Sequence, residues 1–168
     1  MPSFPHTRPA LVEFAEKTIR WPGHWQAIET LRECGLLSLT PVQQGGQTIV
    51  PRQFLSQLLS PALQPRPEDR DVCVMYNTAT GEKQGQRLRL EYHLWHERPP
   101  SSELSAMMRV TGFPAALAAR LLCRGAITAH GIVAPEDAVG EALYPEFLRD
   151  LAARGIQVEM SQAVEPMA

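Results

Sequence analysis

Residues 86 to 96 carry the pattern that most restricts what this chain can become. Leu88, Leu90, Tyr92 and Leu94 alternate with Arg87, Arg89, Glu91 and His93. A strict period of two predicts a strand with one face on a core and the other toward water, as in antiparallel sheets. Just upstream, Val72-Cys73-Val74-Met75-Tyr76 is apolar at every position, which predicts a more central strand. The polar, glycine-punctuated linker Thr80-Gly81-Glu82-Lys83-Gln84-Gly85 predicts a hairpin joining the two. Weaker alternation predicts a further strand over Leu11 to Arg20, and a last one over residues 156 to 160.

Helical spacing appears on either side of this strand pair. Trp25, Ile28 and Leu31 repeat until Gly35; Phe113, Leu117 and Leu121 until Gly125; Leu143, Phe147 and Leu151 until Gly155. Glycine just past a helix takes the left-handed conformation that closes the last turn. Leu36 and Ile156 follow two of these glycines and are placed to cover the final turn. A helix is also expected over Gln53 to Leu59, and a short one over Glu103 to Arg109. The fold class is α+β, with helices on one face of a mostly antiparallel or mixed sheet. Prolines at positions 2, 5 and 9 mark residues 1–10 as an irregular arm or linker remnant, leaving 11–162 as the domain.

Composition excludes several functions. A net charge of −2 supplies no field for a phosphate backbone, so nucleic acid is not an expected partner. No apolar run approaches the roughly 20 residues of a membrane span, and the N-terminus has no charged region followed by an apolar core. The expected location is the cytoplasm. Three widely spaced cysteines, Cys34, Cys73 and Cys123, are expected as reduced thiols buried among apolar neighbours. His93 and His96 form an H-x-x-H pair. On a strand, residues three apart face opposite sides, so no metal is expected there. Neither Gly45-Gly46 nor Gly81 belongs to a G-x-G-x-x-G or phosphate-loop pattern, so no cofactor site is expected in this chain.

Two segments are candidates for chemistry. In Arg20-Trp21-Pro22-Gly23-His24 the Pro-Gly turn sets a guanidinium at a strand end and an imidazole at a helix start. Such a place suits a carboxylate ligand. The local alternative is an Arg20 paired inside the fold and a His24 that merely opens the helix. In Thr111-Gly112-Phe113-Pro114, Thr111 is placed to cap a helix, with Pro114 in its first turn. Gly112 there admits a ligand close to the backbone, and the local alternative is simply a well-made helix start.

Five ordered segments resemble the C-terminal domain of the saccharopine dehydrogenase and lysine 6-dehydrogenase family, over about Glu16 to Val158. They are Lys17 to His24, Cys34-Gly35-Leu36-Leu37, Leu104-Ser105-Ala106-Met107, Thr111 to Ala115, and Gly131 to Glu136. Two departures stand out. His96 stands where the family often has an acidic residue, and Arg98 to Ser102 is proline-rich without the usual acidic turn. The resemblance implies an NAD(P)-dependent oxidoreductase acting on an amino acid such as lysine or saccharopine. It implies NAD or NADP on an N-terminal dinucleotide domain, supplied in cis or trans, and a homodimer joined partly through this domain. Turn geometry and family position together nominate Arg20, His24, Arg109, Thr111, Gly112 and Phe113 as substrate-binding residues around one cleft; no catalytic residue is assigned. Alone, the chain is expected to be inactive. The competing reading is a non-catalytic binding or assembly module that retains the fold. A free-standing lyase or hydrolase is disfavoured, because no nucleophile with an adjacent base can be picked out.

Overall fold

The order of elements follows from where the chain can pair its backbone. A computed structural model describes residues 3–66 and 68–165. It contains six helices and two antiparallel sheets, 35% helix and 22% strand, an α+β fold. The chain divides into two compact units, Met1–Ala15 with Arg70–Ala168, and Glu16–Asp69.

The larger unit is built on β3 (Val72–Lys83), β4 (Gln86–Glu97) and β5 (Glu159–Glu165), in the order β3-β4-β5. Lys83 pairs with Gln86, so the hairpin turns on Gln84 and Gly85 alone. Both have positive φ (54° and 74°), the geometry of a type I′ turn that matches strand twist. The connection expected over residues 80 to 85 is therefore corrected: Thr80 to Lys83 continue the strand. The doubly apolar 72–76 segment was expected to be central, yet β3 is an edge and β4 the central strand. Its outward apolar residues are used across the hairpin instead. Val74 stands opposite Trp95, and Tyr76 opposite His93 with ring centroids 4.5 Å apart.

On β4 the predicted alternation is sharpest at the C-terminal half, where Leu94 and His96 are buried and His93, Trp95 and Glu97 exposed. Toward the turn it fades, and Leu88, Leu90 and Tyr92 are only half-buried. The core explains this: Leu94 packs with Leu117, Leu151 and Ile156 at one end of the sheet. Leu117 comes from α4 (Ala106–Cys123), and Leu151 from α6 (Tyr144–Ala152).

All three glycine stops work as read. Gly35, Gly125 and Gly155 have φ of 76°, 72° and 76°. The following residue closes each helix through a six-residue ring: Leu36 N–H to Leu31 C=O, Ala126 to Leu121, Ile156 to Leu151, each near 3 Å (3.0, 2.9 and 3.0). Ile156, at 2% exposure, is thereby driven into the core. A small helix, α5 (Pro135–Ala138), precedes α6. The arm expected to be irregular contains one helical turn, α1 (Phe4–Thr7), and docks on α5. Thr7 Oγ1 donates to Glu136 at 2.8 Å, and Arg8 to Asp137 at 2.7 Å.

In the smaller unit, α2 (His24–Glu33) and α3 (Pro51–Ala62) flank a hairpin of β1 (Val42–Gln44) and β2 (Gln47–Ile49). That hairpin was not anticipated. Gly45 and Gly46, both at positive φ, are its turn. The strand expected over 11–20 is absent. Those residues pair with no strand, and Leu11, Val12, Phe14 and Ile19 are exposed. The cysteines are free thiols as expected, but their expected burial fails: Cys34 and Cys123 are exposed and Cys73 half-buried. Cys34 and Cys123 stand at helix C-termini, where apolar sequence neighbours do not enforce burial.

Because the core is confined to one end of β4, Leu94→Asp should unfold the larger unit, a loss of several kcal/mol. Leu90→Asp, halfway out, should lose less than half as much. Urea denaturation of both variants decides this, and equal losses would place the core wrongly.

Candidate functional site

The nominated residues of the larger unit all lie on α4, and that helix starts earlier than its sequence suggests. Ser105 is the N-cap, its Oγ accepting from the Met108 N–H at 3.0 Å. Asp71, from the edge of β3, accepts from the Ala106 and Met107 N–H groups at 2.8 and 3.0 Å. The short helix expected over 103–109 and the helix expected to open at Thr111 are one continuous helix, and Pro114 lies inside it. The reason is energetic. Two caps outweigh the single backbone bond that proline forgoes once the helix is packed through Leu117 and Leu121. Thr111 and Gly112 therefore have no free helix N-terminus beneath them. The anion-binding end of α4 is occupied by the chain's own Asp71 carboxylate. Burial alone would raise that carboxyl, but the N–H donors of Ala106 and Met107 and the Ser105 hydroxyl hold it below its ordinary value.

Helical spacing then sorts the four residues onto two sides of α4. Arg109 and Phe113 turn inward, whereas Thr111 and Gly112 are exposed. The Arg109 guanidinium lies 5.0 Å over the Phe113 ring. Its Nε donates to His96 Nε2 at 3.1 Å, and an Nη donates to the Arg154 carbonyl. His96, 5% exposed, must present an acceptor at Nε2 and so carries its proton on Nδ1. Where the resemblance implies an acid, a neutral imidazole receives the arginine. The outward side of α4 presents Met107, Met108, Thr111, Gly112, Ala115, Ala119 and Leu122, all exposed and uncharged. A Cβ at Gly112 would meet nothing within 4 Å. With 18 residues, α4 is also the one helix among those described that is long and apolar enough to cross a bilayer by length and composition. Core helices of soluble proteins share that property.

Arg20 and His24 belong to the smaller unit. The Pro22-Gly23 turn forms as expected: the His24 N–H bonds the Trp21 carbonyl at 3.1 Å, and Gly23 has φ 86°. These are the marks of a type II turn with proline then glycine at its centre. His24 opens α2 with its ring edge-on to Trp25 at 5.1 Å, and Arg20 is exposed on non-strand backbone. The same unit holds a cleft of about 390 Å³ along α3, floored by Leu37, Leu55, Leu59 and Leu63 beside Arg52. Among the described residues no group of three His, Cys, Asp or Glu side chains is placed to hold a metal ion, and His93 and His96 face opposite sides of the sheet.

Sequence reasoning missed two residues that organise α4. His96 had a signal, since it extends the even-numbered buried series beyond Leu94. Asp71 had none, because its partners lie 35 and 36 positions away.

With this geometry in place, comparison with known families matches the chain to the saccharopine dehydrogenase C-terminal domain over residues 5–156. The chain belongs to that family.

Arg109→Lys should destabilise nearly as much as Arg109→Ala, by about 2–3 kcal/mol, since an ammonium cannot bridge His96 and the Arg154 carbonyl from one fork. A thermal midpoint for the lysine variant equal to wild type would reduce Arg109 to a generic cation. Asp71→Ala should remove about 1–2 kcal/mol at neutral pH. Because the folded Asp71 pKa lies below the ordinary 3.8, its contribution is complete above that value and is lost as pH falls through the lowered one. Denaturant midpoints against pH should show an acid decline that is shallower in Asp71→Ala.

Proposed function

We propose that this member of the saccharopine dehydrogenase C-terminal domain family is the substrate-facing and subunit-joining part of an NAD(P)-dependent oxidoreductase acting on an amino acid. The observation that carries the reading is the outward side of α4. An uncharged surface four turns long, with Thr111 and Gly112 in its second turn, suits close cover by another domain better than water. Gly112 leaves open space where a ligand or a second backbone can approach. Arg20 and His24, exposed beside the helix start of the smaller unit, supply a cation and a proton-carrying ring for a carboxylate. The cofactor, NAD or NADP, belongs to a dinucleotide domain outside this chain. Gly45-Gly46, the one glycine pair, turns a hairpin, and no dinucleotide fingerprint is present. The cytoplasm is the compartment where such chemistry and free thiols fit together.

One observation favours the alternative, a non-catalytic assembly module. Arg109 directs its Nε and an Nη into the fold, which leaves only part of its guanidinium for a substrate.

Complementation separates the two. The chain is mixed with a separately produced dinucleotide-binding domain of a family dehydrogenase, and reduced nicotinamide is followed with lysine or saccharopine present. Hydride transfer that falls roughly 10- to 100-fold in kcat/KM with Arg20→Ala supports the oxidoreductase reading. Association without turnover supports the module. Calorimetry on the chain alone should show no binding of NAD or NADP, and a dissociation constant below about 100 μM would put a cofactor site here after all.

A further inference from the structure

We propose that two copies of this chain join along the outer edge of β5, in an antiparallel two-fold pairing centred on Gln162 that makes one six-stranded sheet. The proposal rests on the dimer contained in the functional reading above and specifies its surface.

β5 lies at the end of the β3-β4-β5 sheet, antiparallel to β4 from His93↔Glu159 to Arg87↔Glu165. Among the described residues no strand pairs with its other side. Alternate residues of such an edge direct N–H and C=O groups outward, ready to pair. Charge protects it only at its two ends, through Glu159 and Glu165. The strand is seven residues long, Glu-Met-Ser-Gln-Ala-Val-Glu, with no proline and no lysine. Met160 and Val164 are 57% and 62% exposed. An edge of this kind is covered in a soluble assembly or it aggregates.

The sequence of β5 says by what. Read from either end it is acid, apolar, small, glutamine, small, apolar, acid. A two-fold axis through the sheet at Gln162 pairs all seven residues: Met160 meets Val164 of the other copy, and Ser161 meets Ala163. Moving the centre to Ser161 or Ala163 shortens the ladder and sets Met160 or Val164 against Gln162. The β4 register strengthens the choice. Leu88 is paired with Val164 and Tyr92 with Met160, so joining copies lays an apolar row Leu88, Val164, Met160, Tyr92 across the seam, and its symmetry mate beside it. These rows lie on the same face as Leu94 and the helices, and they cover Leu88 and Tyr92, which the core of one copy leaves half-buried. On the opposite face Glu159 stands at an end of the ladder, beside His93 of β4.

The test uses the full chain with exposed Cys34 and Cys123 replaced by serine. In this background Gln162→Cys should oxidise to a covalent dimer, because a central pair brings its Cβ atoms within disulfide reach. Ser161→Cys should not, its two copies being two residues out of step. Val164→Lys should convert a dimer seen by light scattering into a monomer with unchanged circular dichroism. A dimer in which Gln162→Cys fails to cross-link, or which survives Val164→Lys, overturns the β5 edge and leaves the dimer itself standing. A wild-type monomer at high concentration overturns both.

Discussion

The larger unit depends on one guanidinium. Arg109 reaches from α4 to the imidazole of His96 on β4, to the carbonyl of Arg154 at the end of α6, and over the ring of Phe113. The buried hydrophobic cluster beside it contains four residues, Leu94, Leu117, Leu151 and Ile156. A cluster so small gives little excess over conformational entropy, so the hydrogen bonds that fix its geometry matter more than usual. Arg109 ties together the three elements that supply those residues. The charge is tolerable there because its donors meet a lone pair and a carbonyl, and its face rests on an aromatic ring.

Asp71 and Ser105 complete the arrangement from the other end of α4. Together they take the N–H groups of Ala106, Met107 and Met108, so the helix opens with its dipole answered by a carboxylate from a neighbouring strand. That has a functional consequence: the anion-seeking end of α4 is satisfied internally. What α4 offers outward is a side, uncharged and rich in small residues. Under the proposed function, recognition there would rest on shape and close approach, and the charge for a carboxylate would come from elsewhere.

The smaller unit shows the opposite balance. None of its described residues falls in the buried class. Its order comes from local devices: the Pro22-Gly23 turn into α2, the glycine closure at Gly35, the Gly45-Gly46 hairpin, and Pro51 at the first turn of α3. Each acts within a few residues, which is why the Arg20–His24 turn and the Gly35 stop were legible without coordinates. The Gly45-Gly46 hairpin was missed because its strands, Val-Gln-Gln and Gln-Thr-Ile, are three residues long and show no alternation.

What this sequence determined by itself was everything enforced by neighbours along the chain: the period of β4, the three glycine closures, the antiparallel α+β character and the family. These follow from steric rules and periodicities that act over a turn or a strand, and tertiary packing rarely reverses them. What tertiary structure alone decided were the partnerships across long separations. Thr111 was read as a helix start because a threonine before Pro114 is locally ideal, but Asp71, far upstream, moved the start to Ala106. Arg109 was read as a ligand cation because its chemistry allows it, and tertiary structure turned two of its donors to His96 and the Arg154 carbonyl. The central place expected for β3 went to β4, because apolar composition reports burial propensity and not position in a sheet. In each case the local preference was real and small, and a hydrogen bond or packed side chain arriving from another element outweighed it.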